Sequence, residues 1–301
     1  MSWFEGFESR AHDVDGARLF ARTGGRADGP PVLLLHGFPQ THVMWHRVAQ
    51  VLAPRWRLVL PDLRGYGDSS KPPSQTGHVQ QSKRVMAADV VALMKSLGHE
   101  RFHVVGHDRG ARVAHRLALD APEVVDRLVL IDIAPTLDMY DATDRRFATH
   151  YYHWFHLIQP APLPERMVGA DPTLYLHRKL GGWGGAGDLD HIEHAALAEY
   201  ERCFTDPETI RAACEDYRAS AGIDLDHDRA SRAAGERIAA QTLLAWGARG
   251  VVGRLFDPVA LWQAQCARPL VAHPLEAGHF LAEERPAETA ALIERFLQSG
   301  D

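Results

Sequence analysis

The sequence predicts a layered α/β fold: a mostly parallel sheet flanked by helices, with a helical cap inserted in the middle of the chain. Three observations carry this. Short apolar runs that stop at Gly, Pro or Asp recur at "PPVLLLHGF" (30–38), "RLVLPDLRGYGDS" (57–69), "RFHVVGHD" (101–108) and "DRLVLIDIAP" (126–135). Continuous runs of this kind suit strands buried on both faces. Helical patterns lie between them, such as "SKRVMAADVVALMKSLG", which ends in a glycine suited to a helix C-terminus. The rhythm then breaks after Pro135 and returns with "AQTLLAWG" (240–247), "LVAHPLEAGHF" (270–280) and the amphipathic "PAETAALIERFLQ". Strand and helix in alternation make a parallel α/β core. The core is therefore expected over 1–135 and 240–301, with the cap over 136–239. A cap of this kind can close over a site and exclude water.

Composition narrows the partners. The formal charge of −6 and the lack of a basic run exclude a nucleic-acid surface, which needs clustered Lys and Arg. Cys203, Cys214 and Cys266 are odd in number and show no metal-ligand spacing, so reduced thiols are expected and no metal. "DLDHD" (224–228) fits no standard metal motif and reads as a solvated cap loop. The N-terminal residues lack the pattern of a signal peptide, and no apolar stretch approaches bilayer-spanning length. A cytoplasmic protein with a small-molecule partner and no membrane association is the expectation.

The chemistry is expected at "GHDRG" (106–110). It has the form of a nucleophile elbow, the sharp strand-to-helix turn that presents one reactive side chain above a sheet, with Asp108 at the reactive position. His279 in "EAGHF" follows the last predicted strand, where the general base of such a fold lies. Two carboxylates can orient it: Asp132 at the end of "LVLID", and Asp257 after "ARGVVGRLF". Periodicity favours Asp132, since a strand's C-terminal end lies on the ligand-facing edge of an open sheet. In "LHGFP", the backbone N–H of Phe38 is a candidate oxyanion donor, and the N–H of Arg109 is the second.

An aspartate nucleophile selects the reaction. A serine attacking a saturated carbon would form an ether, which resists cleavage, whereas a carboxylate forms an ester that water can open with His279 as base. Displacement at carbon is therefore expected, covering dehalogenation and epoxide opening. Arg109 and Arg112 then separate the two. Cations in the first turn of a helix oppose its dipole at a cost of about 0.3–1 kcal/mol each when exposed. An anionic substrate such as a 2-haloacid would compensate, its carboxylate held by both guanidinium groups. A departing halide needs hydrogen-bond donors, and the cap offers Tyr151, Tyr152, His153, Trp154, Trp183 and Tyr217, among which spacing does not choose.

The segments "LHGFPQ", "DLRGYGDS", "GHDRGAR", "YHW", "QPAPLPE", "CEDYRA" and "EAGHF" together resemble the fluoroacetate (haloacetate) dehalogenases of the α/β-hydrolase superfamily, over nearly the whole length. The resemblance implies an α/β-hydrolase core with an inserted cap, Asp108 as nucleophile, His279 as base and Asp132 as its orienting acid. It further implies that Arg109 and Arg112 hold the substrate carboxylate and that His153, Trp154 and Tyr217 form a halide pocket. Trp183 is a candidate pocket wall. No cofactor and a homodimer are also implied, with a small anionic haloacid and water as the reactants. Epoxide hydrolysis is the enzymatic alternative, and a non-catalytic receptor on the same scaffold the other. Binding alone would have no use for a general base.

Overall fold

Eight strands form one sheet, in the order β1-β2-β4-β3-β5-β6-β7-β8, in a computed structural model that describes residues 3–299. They are β1 (Glu8–Val14), β2 (Ala17–Gly25), β3 (Pro31–Leu35), β4 (Arg57–Pro61), β5 (Phe102–His107), β6 (Val125–Ile131), β7 (Gln241–Gly247) and β8 (Val271–Leu275). β1 runs antiparallel to β2, and β2 antiparallel to β4; the pairs from β4 through β8 are parallel. Val32–Leu35, Leu58–Leu60, Val104, Val105, Leu128–Ile131 and Leu243–Ala245 are buried, which explains why these strands read as unbroken apolar runs.

The first two strands were not among those expected from apolar runs. β1 is an edge strand that is largely exposed, so its sequence "ESRAHDV" is mostly polar. Its register places Val14 opposite Ala17 across a turn of Asp15 and Gly16, and Gly16 takes the positive φ of 68° that such a tight hairpin requires. The Asp-Gly pair was the available signal.

Core helices are α1 (His46–Leu52), α2 (Lys83–Ser96) and α3 (Arg109–Asp120). Ser82 caps α2 by accepting a hydrogen bond from the Val85 N–H at 3.3 Å, and Gly98 beyond its end has φ 84°. Between β6 and β7 the described elements are all helical: α4 (Thr136–Asp141), α5 (Arg145–His150), α6 (Tyr152–Leu157), α7 (Leu163–Ala170), α8 (Pro172–Trp183), α9 (His194–Phe204), α10 (Pro207–Ala221) and α11 (Ile223–Ala233). After β7 come α12 (Val251–Leu255), α13 (Pro258–Gln265), α14 (Leu281–Glu284) and α15 (Pro286–Gln298). The "DLDHD" stretch is not a solvated loop: it lies in α11, with Asp224 and Asp228 buried and Asp224 accepting the Lys83 backbone N–H at 2.8 Å. Among the described residues, no helix is long and apolar enough to cross a membrane.

The parallel strands place their C-terminal ends along one edge. The chain leaves β3 for β4 on one side and then β5 on the other, so the order reverses between β3 and β5. Ligands bind at such a reversal in open α/β sheets. The loops after β3, β5, β6 and β8 carry Phe38, Asp108, Asp132 and His279 to this edge.

Candidate active site

Asp108 stands between the end of β5 and the start of α3 with φ 48° and ψ −114°, a backbone conformation that costs about 1–3 kcal/mol for a non-glycine residue. The flanking glycines make the turn possible by allowing close contact. A Cβ on Gly106 would lie 2.6 Å from the Cα of Ala111, and one on Gly110 would lie 2.4 Å from the carbonyl oxygen of His36. β3 and β5 are in register with Leu35 opposite Gly106, which brings the loop after β3 beside the elbow. As a result the Phe38 N–H donates to Asp108 Oδ1 at 2.9 Å. The other expected backbone donor, the Arg109 N–H, makes no hydrogen bond to that carboxylate.

His279 Nδ1 and Asp132 Oδ2 are 2.5 Å apart, and the Gly247 N–H donates to Asp132 Oδ1 at 3.0 Å. Asp132 also has positive φ, 51°, at the end of β6. Asp257, the alternative acid, is exposed and caps α13 by accepting the Ala260 N–H at 3.0 Å. It does not touch His279. The imidazole is further fixed by its own backbone, whose N–H donates to the Trp183 carbonyl at 2.9 Å and whose carbonyl meets His107 Nε2 at 2.8 Å. His279 Nε2 has no hydrogen-bond partner in the protein and lies 3.9 Å from Asp108 Oδ2, beyond hydrogen-bond reach.

Charge tunes this trio. Burial opposes ionisation of Asp108, but His279, then His107, Arg112 and Arg109, more than offset it and hold the carboxyl below its usual range. Burial also opposes protonation of His279, yet the hydrogen bond and charge of Asp132, followed by the charge of Asp108, raise it above 6.5. Burial lowers His107 to about 3, so it is neutral beside the base.

The two arginines are not equivalent. Arg109 is held by Asp216 through Nη2–Oδ1 at 2.7 Å and Nε–Oδ2 at 2.8 Å, and Nη2 also donates to Ser220 Oγ at 2.5 Å. Asp216 in turn accepts from Tyr66 OH at 2.6 Å and pairs with the buried Lys83. Arg112 meets only neutral acceptors: Ala134 O at 3.1 Å, Thr136 Oγ1 at 2.9 Å and Met139 Sδ at 3.4 Å. No carboxylate pairs with it among the described residues, and burial followed by the Arg109 charge lowers its pKa. Arg109 Nη1 and Arg112 Nε are buried without a protein partner.

α6 and α10, inserted between β6 and β7, carry His153, Trp154 and Tyr217 to this edge. His153 Nδ1, Trp154 Nε1 and Tyr217 OH are also buried without a protein partner. The Arg109 guanidinium lies 4.2 Å from the Tyr217 ring centre, and that of Arg112 4.7 Å from Trp154. Phe38 stacks on His153 with ring centres 6.2 Å apart and meets Tyr217 edge-on at 5.3 Å. Trp183 lies 4.5 Å from the His153 ring and 5.5 Å from that of His279. Of the remaining candidates, Tyr151 is buried and Tyr152 is about half exposed. Sequence reasoning missed Asp216, Lys83 and His107. For Asp216 a signal existed: Ala212, Ala213, Ala219 and Ser220 surround it at helical spacing, a run of small residues that marks a closely packed face.

The arrangement suits nucleophilic attack by a carboxylate followed by base-assisted hydrolysis, beside buried donors for an anion. The family model described as alpha/beta hydrolase fold matches residues 30–286. A fluoroacetate dehalogenase from Burkholderia sp is 43% identical over 98% of this chain and 95% of its own. A soluble epoxide hydrolase from Corynebacterium sp. (strain C12) is 32% identical over 91% of each chain. Among solved structures, ALR0039 from Nostoc sp PCC 7120 has 51% identity and a TM-score of 0.95 over 98% of this chain and 99% of that one. Elbow, sheet order and sequence agree, and the chain belongs to the α/β-hydrolase family.

Proposed function

We propose that the protein is a hydrolytic dehalogenase of short 2-haloacids, of which fluoroacetate and chloroacetate are the simplest. One observation carries the reading: Arg112 is a buried cation without a carboxylate, among donors of Arg109, His153, Trp154 and Tyr217 that lack protein partners. A substrate carboxylate supplies the missing charge, and the developing halide takes the remaining donors. The whole-length likeness to a fluoroacetate dehalogenase supports the same chemistry.

The steps follow from the hydrogen bonds. Asp108 Oδ1 is engaged by the Phe38 N–H, while Oδ2 is free of His279 and attacks C2 from the side opposite the halogen. The C–O bond forms as the carbon–halogen bond breaks, and the halide leaves with the bonding pair. Trp154 Nε1, Tyr217 OH and His153 receive it; burial, then the Lys179 charge, keeps His153 neutral. His279 Nε2 next takes a proton from water, whose oxygen adds to the Asp108 carboxyl carbon. The negative charge collects on Oδ1 at the Phe38 N–H. Collapse breaks the bond between the carboxyl carbon and Oδ2, His279 gives its proton to the departing alkoxide, and the 2-hydroxy acid leaves; the second water proton, left on the Asp108 carboxyl, passes to solvent and restores the carboxylate. His279 is held in the required orientation by Asp132.

A second reading has one observation in its favour. Tyr217 OH, free of protein partners, could protonate an epoxide oxygen, and a soluble epoxide hydrolase is a relative. Arg112, whose hydrogen bonds go only to neutral groups, has no substrate anion to hold in that reaction. Halide release from fluoroacetate and chloroacetate, measured beside a neutral haloalkane and diol formation from an epoxide, tests the choice. Release from the acids supports the proposal. Turnover of the neutral substrates alone refutes it.

A further inference from the structure

Beyond the Asp108 site, α8 carries a second cation that has no anion. Lys179 is 2% exposed, and its ammonium makes no ion pair or hydrogen bond with the described residues. Nζ lies over aromatic faces instead, 3.5 Å from the ring centre of Tyr152, 4.9 Å from Trp183 and 5.2 Å from Tyr175. Aromatic faces attract a cation but leave its N–H groups without acceptors. Burial, and then the nearby Arg178, lower the Lys179 pKa to about 7.

This side chain lines a cavity of about 220 Å³ together with His150, Tyr152, Arg178, Trp183 and Arg254, and no Asp or Glu contributes to the lining. That volume is several times the roughly 30 Å³ of one water, enough for a small ion and some of its hydration. Arg178 and Arg254 are exposed and form no ion pair among the described residues. In a chain of net charge −6, Arg178, Lys179 and Arg254 around one cavity free of carboxylates form a local positive well. The cavity also shares Trp183 with the candidate active site, since that ring lies 4.9 Å from Lys179 Nζ and near the rings of His153 and His279. Gly182 and Gly184 flank that tryptophan at the end of α8.

We propose that this cavity is a vestibular anion site, which takes a small monovalent anion from solvent and exchanges it with the Asp108 site past Trp183. Its transit role rests on the proposed dehalogenation, which has an anionic substrate and releases an anionic product. The shared ligand chemistry is a small monovalent anion, from either the incoming haloacid or the departing halide. Lys179 supplies the donors at the cavity wall, and Arg178 and Arg254 supply the field that draws the ion in.

Crystals of the Asp108→Asn variant soaked in bromide, and separately in chloroacetate, test the site and distinguish the sources. Bromide is located by its anomalous scattering and chloroacetate by difference density. An ion within hydrogen-bond reach of Lys179 Nζ, lost in Lys179→Met, supports the proposal. Chloroacetate there marks the uptake path and bromide the release path. An empty cavity in both soaks, with the Asp108 site filled, overturns it. The exposed pair Arg178→Gln/Arg254→Gln gives a test that does not depend on a buried substitution. In the Asp108→Asn background, the stopped-flow association rate for chloroacetate should fall about threefold to tenfold and lose much of its salt dependence. An unchanged rate with unchanged salt dependence overturns the transit role. Failure of the wild type to release halide from any haloacid counts against the proposed reaction, whereas bromide at Lys179 reports the anion site independently.

Discussion

Replacing Arg112 by methionine should separate activity from stability. Arg112 is 3% exposed and bonds only to neutral groups, so methionine removes a buried cation that pairs with no carboxylate, although it feels the charge of Asp108. Exchanging buried charge for apolar volume is neutral to stabilising by about 1–4 kcal/mol. Loss of the charge-assisted hydrogen bonds to Ala134 O and Thr136 Oγ1 offsets this by about 1.5–3 kcal/mol each. The net change in folding stability therefore lies between about 1 kcal/mol stabilising and about 6 kcal/mol destabilising. Losing charge-assisted bonds to a substrate carboxylate costs about 1.5–3 kcal/mol, or about 10- to 150-fold in kcat/KM for chloroacetate. Arg109→Met should cost stability whatever the balance at Arg112. It leaves Asp216, which is fully buried, with Lys83 as its remaining cation, and breaking a buried pair costs about 3–5 kcal/mol. Urea unfolding and halide release read both quantities. Acetate at saturating concentration should raise the Tm of the wild type and leave that of Arg112→Met unchanged, because a ligand stabilises only the state it binds. An Arg112→Met protein destabilised by more than about 6 kcal/mol, or one with unaltered kcat/KM, would refute the reasoning.

Three further outcomes follow from the same geometry. Ester hydrolysis needs neutral His279, so its single-turnover rate should fall as pH drops through the raised pKa of that residue; Asp132→Asn, which removes the group that raises it, should slow the step and move the acid limb to lower pH. Trp154→Phe removes one unpartnered donor and should lower fluoride release by about 10²- to 10³-fold, with a smaller loss for chloride, whose carbon–halogen bond breaks with less help. Gly110→Ala should fail to fold stably or lose most activity, since its Cβ would meet the His36 carbonyl at 2.4 Å; thermal unfolding and halide release check this.

Asp108 and Asp132 were legible because each follows a strand whose apolar run is unbroken in the sequence, and strand ends share one edge of a parallel sheet; His279 lies four residues beyond β8, whose "VAHPL" is mostly exposed, and was found from its place late in the chain. Asp132 and Asp257 could be ranked by that argument, and only Asp132 meets His279. The partnership of Arg109 with Asp216 was not legible, because 107 residues separate them and the cap's docking decides it. The functional difference between Arg109 and Arg112 is hidden for the same reason. In α6, a helix of six residues, no apolar stripe is long enough to tell exposed Tyr152 from buried His153 and Trp154. β1 escaped notice because an exposed edge strand needs no apolar run.

The most direct test of the account is mass spectrometry of the His279→Ala variant after exposure to chloroacetate. Attack by Asp108 does not require the base, whereas opening of the ester does. The account predicts one carboxymethyl group on the peptide that contains Asp108, stable over many turnover times and absent from Asp108→Asn. A folded His279→Ala protein that carries no adduct, or carries it on another residue, would contradict the two-step mechanism.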